Sequence, residues 1–185
     1  VGQTGQSGLL TPRRKAIAER LRISRDRTIP VTLTTAADAT NLVGLREQFK
    51  SSRKELIPTY ADIVACLAAR VLKRHAALAR RWDEHHLSLI SVKDGALHIG
   101  IAVDTPDGLL VPVIRDVGRK PLLAVVAESR RLIELARGGR LTGAEMQGGV
   151  FTISNLGGHE IDAFTPIINY PEIAILGMGA IRREP

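Results

Sequence analysis

Apolar and polar positions alternate along this chain in blocks of two periods. Thr11-Pro12 pairs a capping residue with proline at a first helical position, and Ile17 and Leu21 fall four apart. That spacing predicts a basic helix running to about Ile23. TIPVTLTTAAD (28–38) is β-branched and partly alternating, and predicts a strand. Asp38 is placed to cap a following helix with Leu42, Leu45 and Phe49 on one face. The strongest helical block is PTYADIVACLAARVLKRH (58–75), where Thr59 and Asp62 fit a capping box with Asp in place of Glu. Its apolar stripe (Ile63, Val64, Leu67, Val71 and Leu72) is expected to be buried against a sheet.

The middle of the chain switches to strand-like runs: LSLISV (87–92), LHIGIAVDT (97–105) and LLVPVIRD (109–116). TPDG (105–108) joins the last two as a turn, and Pro112 implies an edge position or a local break in pairing. KPLLAVVAESRRLIELARGGR (120–140) predicts a helix, with proline near its start and Gly138 and Gly139 past its end. GGVFTISN and EIAILGMGAI (172–181) are two further strands. Helices alternating with strands, plus one hairpin, argue for an α/β chain of the two-layer α+β kind: a mixed sheet covered by helices. Residues 1–9 (VGQTGQSGL) are mostly Gly, Gln, Ser and Thr without periodicity and are expected to be a linker or scar, leaving 10–185 as one domain.

Composition narrows the function. Aromatic residues are only 3%, so the core is built from Leu, Ile, Val and Ala. The net charge of +7 fits nucleic acid, a membrane surface or an anionic small molecule. Scarcity of aromatics argues against single-strand nucleic-acid binding, which relies on base stacking. Most of the cations are spread along helices as solvated faces; a phosphate-bearing cofactor is the sharper reading of the excess. Cys66 has no disulfide partner and is expected to be a buried structural thiol, in keeping with a reducing compartment. No apolar run reaches membrane-spanning length.

Motif tests remove several chemistries. Gly100 to Gly108 lacks dinucleotide-binding spacing, and there is no P-loop, no H-E-x-x-H and no paired cysteine. His75, His85, His86 and His98 lack metal-ligand spacing, so no metal is expected. Ser154, His159 and Asp162 have hydrolase-triad composition but lie within nine positions, without a G-x-S-x-G elbow. What remains is GGVFTISNLGG (148–158), a strand that ends on a serine hydroxyl beside glycines where another molecule could approach closely. Such a hydroxyl could donate to a developing oxyanion.

GGVFTISNLGG followed by AFTPIINYPEIAILGMGAI resembles the catalytic domain of the 2-oxoacid dehydrogenase complex acyltransferases. TPRRKAIAERL, IPVTLT, LREQFK, HIGIAVDTPDGLLVPVIRD and GRLTGAEMQGG extend the likeness, in the same order, over residues 10–185. The resemblance implies a chloramphenicol-acetyltransferase-like fold in homotrimers that build a larger core, with an active-site channel between subunits. Coenzyme A would enter from one side and a lipoyl-lysine, carried by a lipoyl domain, from the other. The reaction implied is transfer of an acyl group between dihydrolipoyl-lysine and coenzyme A, acetyl being the first candidate. Partners would include the lipoyl domain, the dehydrogenase/decarboxylase component and dihydrolipoamide dehydrogenase, with neither nucleic acid nor membrane. The compartment would be a bacterial cytoplasm, or the mitochondrial matrix of a eukaryote.

By the same resemblance, Ser154 matches the serine that stabilises the oxyanion. Arg46, Thr59, Asp104, Asn155, Gly179 and Ile181 match positions that line the coenzyme site. Three of them have a plainer role: Arg46 an exposed helix cation, Thr59 a cap, Asp104 the start of a turn. The family's catalytic histidine lies in a D-H-R-x-x-D-G block downstream of GAIRREP, which implies that the sequence stops before that block. The alternative is a non-catalytic binding subunit of the same fold. Ala76 and Ala79 stand where the family often has Pro and Asn, and Val31 where histidine is common.

Overall fold

The computed structural model describes residues 10–52, 55–92 and 95–184. The proposed linker, residues 1–9, lies outside them. Helix α1 (Pro12–Arg27) starts as predicted: Thr11 Oγ1 accepts the Arg14 N–H at 3.2 Å and proline occupies the first helical position. It runs four residues beyond the predicted end.

The predicted strand at 28–38 is absent: these residues belong to no ladder. Ile29, Val31 and Leu33 are 96%, 86% and 92% exposed. A β-branched segment becomes a strand only where an edge is offered to it, and no described part of this chain offers one. Helix α2 (Thr40–Ser51) follows, but its N-cap is Ala39 and not Asp38; Asp38, one residue earlier, accepts the Thr40 N–H at 2.8 Å in a turn that leads into the helix.

Helix α3 (Tyr60–Arg74) opens on the predicted capping box. Asp62 Oδ2 accepts the Thr59 N–H at 2.8 Å, and Thr59 Oγ1 accepts the Asp62 N–H at 3.2 Å. Its buried face differs from the predicted stripe. Ala65 and Ala69 are fully buried beside Ile63 and Leu72, whereas Leu67 and Val71 point outwards. Alanines let the helix lie close on the sheet, so the closest face is the small one rather than the large apolar one. Cys66 is only half-buried, and burial pushes its thiol pKa up.

Strands β1 (Arg80–Asp83) and β2 (Ser88–Ser91) form an antiparallel hairpin. RRWD carries no strand pattern, and β1 was not predicted. Pro112 breaks the next hairpin in two, as expected: β3 (Ile99–Ile101) pairs with β6 (Val113–Ile114), and β4 (Val103–Thr105) with β5 (Gly108–Leu110). Helix α4 (Leu122–Arg137) ends on Gly138, with Gly139 at φ +67°. β7 (Phe151–Asn155) and β8 (Ile175–Met178) complete a mixed sheet of order β6-β3-β7-β8, in which β3, β7 and β8 are parallel.

Ile99, Ile101 and Ile153 turn one face of this sheet towards α3 and α4, which share the core through Ala65, Ala69, Leu72, Val125 and Leu132. Lys73, in the last turn of α3, donates to the Gly118 carbonyl at 2.6 Å, and Gly118 abuts Leu97 just before β3. Helix α3 therefore runs antiparallel to β3 and β7. Its N-terminus stands at the end of the sheet where those strands finish.

Candidate active site

β7 sits between β3 and β8, in register from Thr152–Ile175 to Asn155–Met178. Ile153 is fully buried towards the helices, so the alternation of a strand turns Thr152 and Ser154 to the opposite face. Ser154 is half-buried and stands opposite Gly177, which places no side chain over it. Among the described residues its hydroxyl makes no hydrogen bond and is free to donate.

The glycines around it serve a purpose the sequence did not disclose. A Cβ on Gly157 would lie 2.4 Å from the Gly179 carbonyl oxygen, and one on Gly179 only 1.9 Å from the Asp162 carbonyl oxygen. Gly157 and Gly179 thus admit the chain's own backbone, locked by Leu156 N–H to Met178 O and Ala180 N–H to Ile161 O. Only Gly158 in this cluster faces open space. Exposed Asn155 closes the turn by accepting the Gly157 N–H at 2.9 Å.

No local triad forms. His159 is exposed, and Asp162 pairs with Arg182 at 2.8 Å.

Arg46 and Thr59 meet at the α3 N-terminus. Arg46 Nε donates to the Pro58 carbonyl at 3.1 Å, and its guanidinium lies 5.1 Å from the Tyr60 ring centroid. These contacts hold the guanidinium beside the helix start by a hydrogen bond and a cation–π contact. Asp104 is exposed on β4, just beyond Ile101, which pairs with Ile153. Ser154, Asn155, Asp104 and Gly179 therefore share the carboxyl end of the parallel strands, with Arg46 and Thr59 at the same end in the helical layer. No hydrogen bond or ion pair links Arg46 or Thr59 to Ser154 among the described residues. Ile181 is exposed, three residues beyond β8. In an open parallel sheet this end is where ligands bind.

The other end of β7 carries chemistry that sequence reasoning missed. Arg20, Arg81 and Arg115 line a cavity of about 520 Å³ with Gly148, Gly149 and Glu172. Glu172 is buried; Thr152 Oγ1 donates to it at 2.6 Å and Asn169 Nδ2 at 3.0 Å. Burial pushes its pKa up to about 7, against those two hydrogen bonds and the nearby Arg20 and Arg81 charges, which pull it down. A lone acid at the head of the apolar run EIAILGM was the one signal for it. Among the described residues no group of three or more potential metal ligands occurs, and no helix is long and apolar enough to cross a membrane.

Residues 3–185 match the family described as 2-oxoacid dehydrogenases acyltransferase (catalytic domain). The chain belongs to that family. It is 39% identical over 173 residues, 92% of its length, to the dihydrolipoyllysine-residue acetyltransferase component of the Bacillus subtilis pyruvate dehydrogenase complex. It spans only 39% of that relative's length. Among solved structures, it superposes with a TM-score of 0.92 and 38% identity on the Azotobacter vinelandii dihydrolipoamide acetyltransferase, over 100% of this chain and 75% of that one. That structure was used to investigate the role of a serine, a histidine and an asparagine in the catalytic mechanism of its enzyme. The same values relate the chain to the cubic core of a pyruvate dehydrogenase multienzyme complex. The acyltransferase fold is thus a mixed sheet covered by helices, as the sequence suggested.

Proposed function

We propose that this acyltransferase domain moves an acyl group, acetyl first among candidates, between a dihydrolipoyl-lysine and coenzyme A. The observation that carries the reading is the unbonded Ser154 hydroxyl at the carboxyl end of β7, in a chain 38% identical to a dihydrolipoamide acetyltransferase. When a thiol attacks the thioester, the carbonyl oxygen gains negative charge. A hydroxyl already held in place stabilises that charge without reorganising. The base that takes the thiol proton comes from outside the residues around Ser154. By resemblance it is the histidine of a D-H-R-x-x-D-G block.

Arg46, Thr59, Asp104, Asn155, Gly179 and Ile181 would line the coenzyme's path, Arg46 offering a cation to its phosphates. The lipoyl-lysine would arrive on a separate lipoyl domain. Assembly into trimers and a larger core is supported by the unpaired segment 28–38. Its exposed Ile29, Val31 and Leu33 form a strand-ready edge that a second copy could cover. Val31→Asp with Leu33→Asp should dissociate the assembly in sedimentation; unchanged sedimentation would remove this segment from the interface.

The direct test is acyl exchange between acetyl-coenzyme A and dihydrolipoamide, wild type against Ser154→Ala. An intact wild type without activity towards acetyl, succinyl and branched acyl donors would favour the non-catalytic binding subunit instead.

A further inference from the structure

The cavity at the amino end of β7 lies away from Ser154: from Phe151 to Ser154 the strand alone spans about 10 Å. Its walls are unusual in charge. Arg20 is held by the Asn169 side chain at 3.2 Å and the Tyr170 carbonyl at 3.3 Å, and Arg115 by the Ala144 carbonyl at 2.6 Å. Arg81 has its Nε buried with no hydrogen-bond partner. None of the three arginines pairs with a carboxylate within 4 Å among the described residues. The nearby acids are already engaged: Glu128 with Lys120 and the Arg115 N–H, and Asp116 with Arg119.

Arg81 and Arg115 also line an adjoining cavity of about 330 Å³, with His98 among its other lining residues. His98 is held below its ordinary pKa, chiefly by burial and then by the Arg115 charge, and its Nδ1 accepts the Asp116 N–H at 3.0 Å. Gly148, at φ +82°, lets Arg115 Nη1 come within 2.9 Å of where its Cβ would stand. A buried, unpaired guanidinium N–H such as that of Arg81 is costly, and with Arg20 and Arg115 each held by a hydrogen bond, three guanidinium forks lining one space suit an oxyanion.

We propose that this cavity binds a doubly charged oxyanion, a phosphoryl- or sulfate-type group on a small molecule, between the guanidinium groups of Arg20, Arg81 and Arg115. The volume exceeds what a bare ion needs and falls in the range of small-molecule sites. Glu172 beside it is protonated over half or more of the time below about pH 7, so it offsets little of the positive charge there. The assignment does not rest on the acyl-transfer reading.

The test uses the single tryptophan, Trp82, which adjoins Arg81 and donates its backbone N–H to Pro171 on the cavity wall. Sodium sulfate and sodium phosphate are titrated against its fluorescence, with ionic strength held constant by sodium chloride. Saturable binding of both is expected, with no response to chloride. Arg81→Leu and Arg115→Leu should each raise Kd about tenfold or more, and Arg81→Lys by less, because it keeps the charge but loses the fork. Arg130→Gln, on the exposed face of α4, should leave it unchanged. A chloride response equal to that of sulfate, or wild-type affinity in a folded Arg81→Leu protein, overturns the proposal. Where Arg115→Leu fails to fold, Arg20→Leu replaces it. Saturating coenzyme A should leave sulfate affinity unchanged; competition between them overturns a separate site and makes the cavity a coenzyme phosphate pocket.

Discussion

The two ends of β7 have opposite characters. At its carboxyl end stand a free hydroxyl, an exposed amide and backbone packed on backbone through Gly157 and Gly179. At its amino end stand three arginines and a buried acid around open space. One end is closely packed, backbone on backbone, as suits a single donated hydrogen bond. The other is roomy and cationic, as suits an anion. Arg46 stands at the carboxyl end, in the helical layer, whereas Arg20, Arg81 and Arg115 share the far end.

Substitutions can break the contrast one end at a time. Ser154→Ala should lower kcat roughly a hundredfold and leave sulfate affinity and thermal stability alone. An unchanged kcat would remove Ser154 from the reaction. Gly179→Ala forces a methyl onto the Asp162 carbonyl and should cost about 3 kcal/mol in denaturant unfolding, the upper range for overpacking. A wild-type midpoint would show that this backbone contact can relax.

Glu172 gives the amino end a pH signature. Its folded pKa, about 7, lies above the model-compound value of 4.5, so the neutral form is the one the fold favours. Its contribution is therefore complete below about pH 4.5 and is lost as pH rises through about 7, by roughly 3 kcal/mol in all. Glu172→Gln should flatten the decline in stability between about pH 4.5 and 7. An equally steep profile in the variant would assign the decline to another group. The smallest effect is expected at Thr59. Thr59→Ala should lose about 1 kcal/mol through the broken capping box, and Thr59→Ser should restore it. A raised KM for coenzyme A in Thr59→Ala, rescued by serine, would show that the cap also serves the carboxyl end.

Local signals were legible where neighbours in sequence settle the structure. The Thr59–Asp62 box, the proline start of α1, the break at Pro112 and the glycine stop of α4 each depend on a few consecutive residues. So did the placing of Ser154 at a strand end, and the run of blocks that marks the acyltransferase family. The segment 28–38 looked like a strand because β-branched alternation measures readiness to pair, and the partner edge is not written in the segment. In α3, Ile63 and Leu72 are buried as their spacing suggests, but Leu67 and Val71 are not, because hydrophobicity ranks Leu67 above Ala65, whereas close packing on a sheet selects the smaller side chain.

The sequence by itself determined the helices, most of the strands, their order and the family, because capping, periodicity and turn chemistry act over a few residues. Only the tertiary structure decided which glycines admit backbone, which helix face is buried and which arginines share a cavity. Arg20, Arg81 and Arg115 are separated by 61 and 34 positions. Nothing local relates them until α1, the β1–β2 hairpin and the end of β6 are packed around the start of β7.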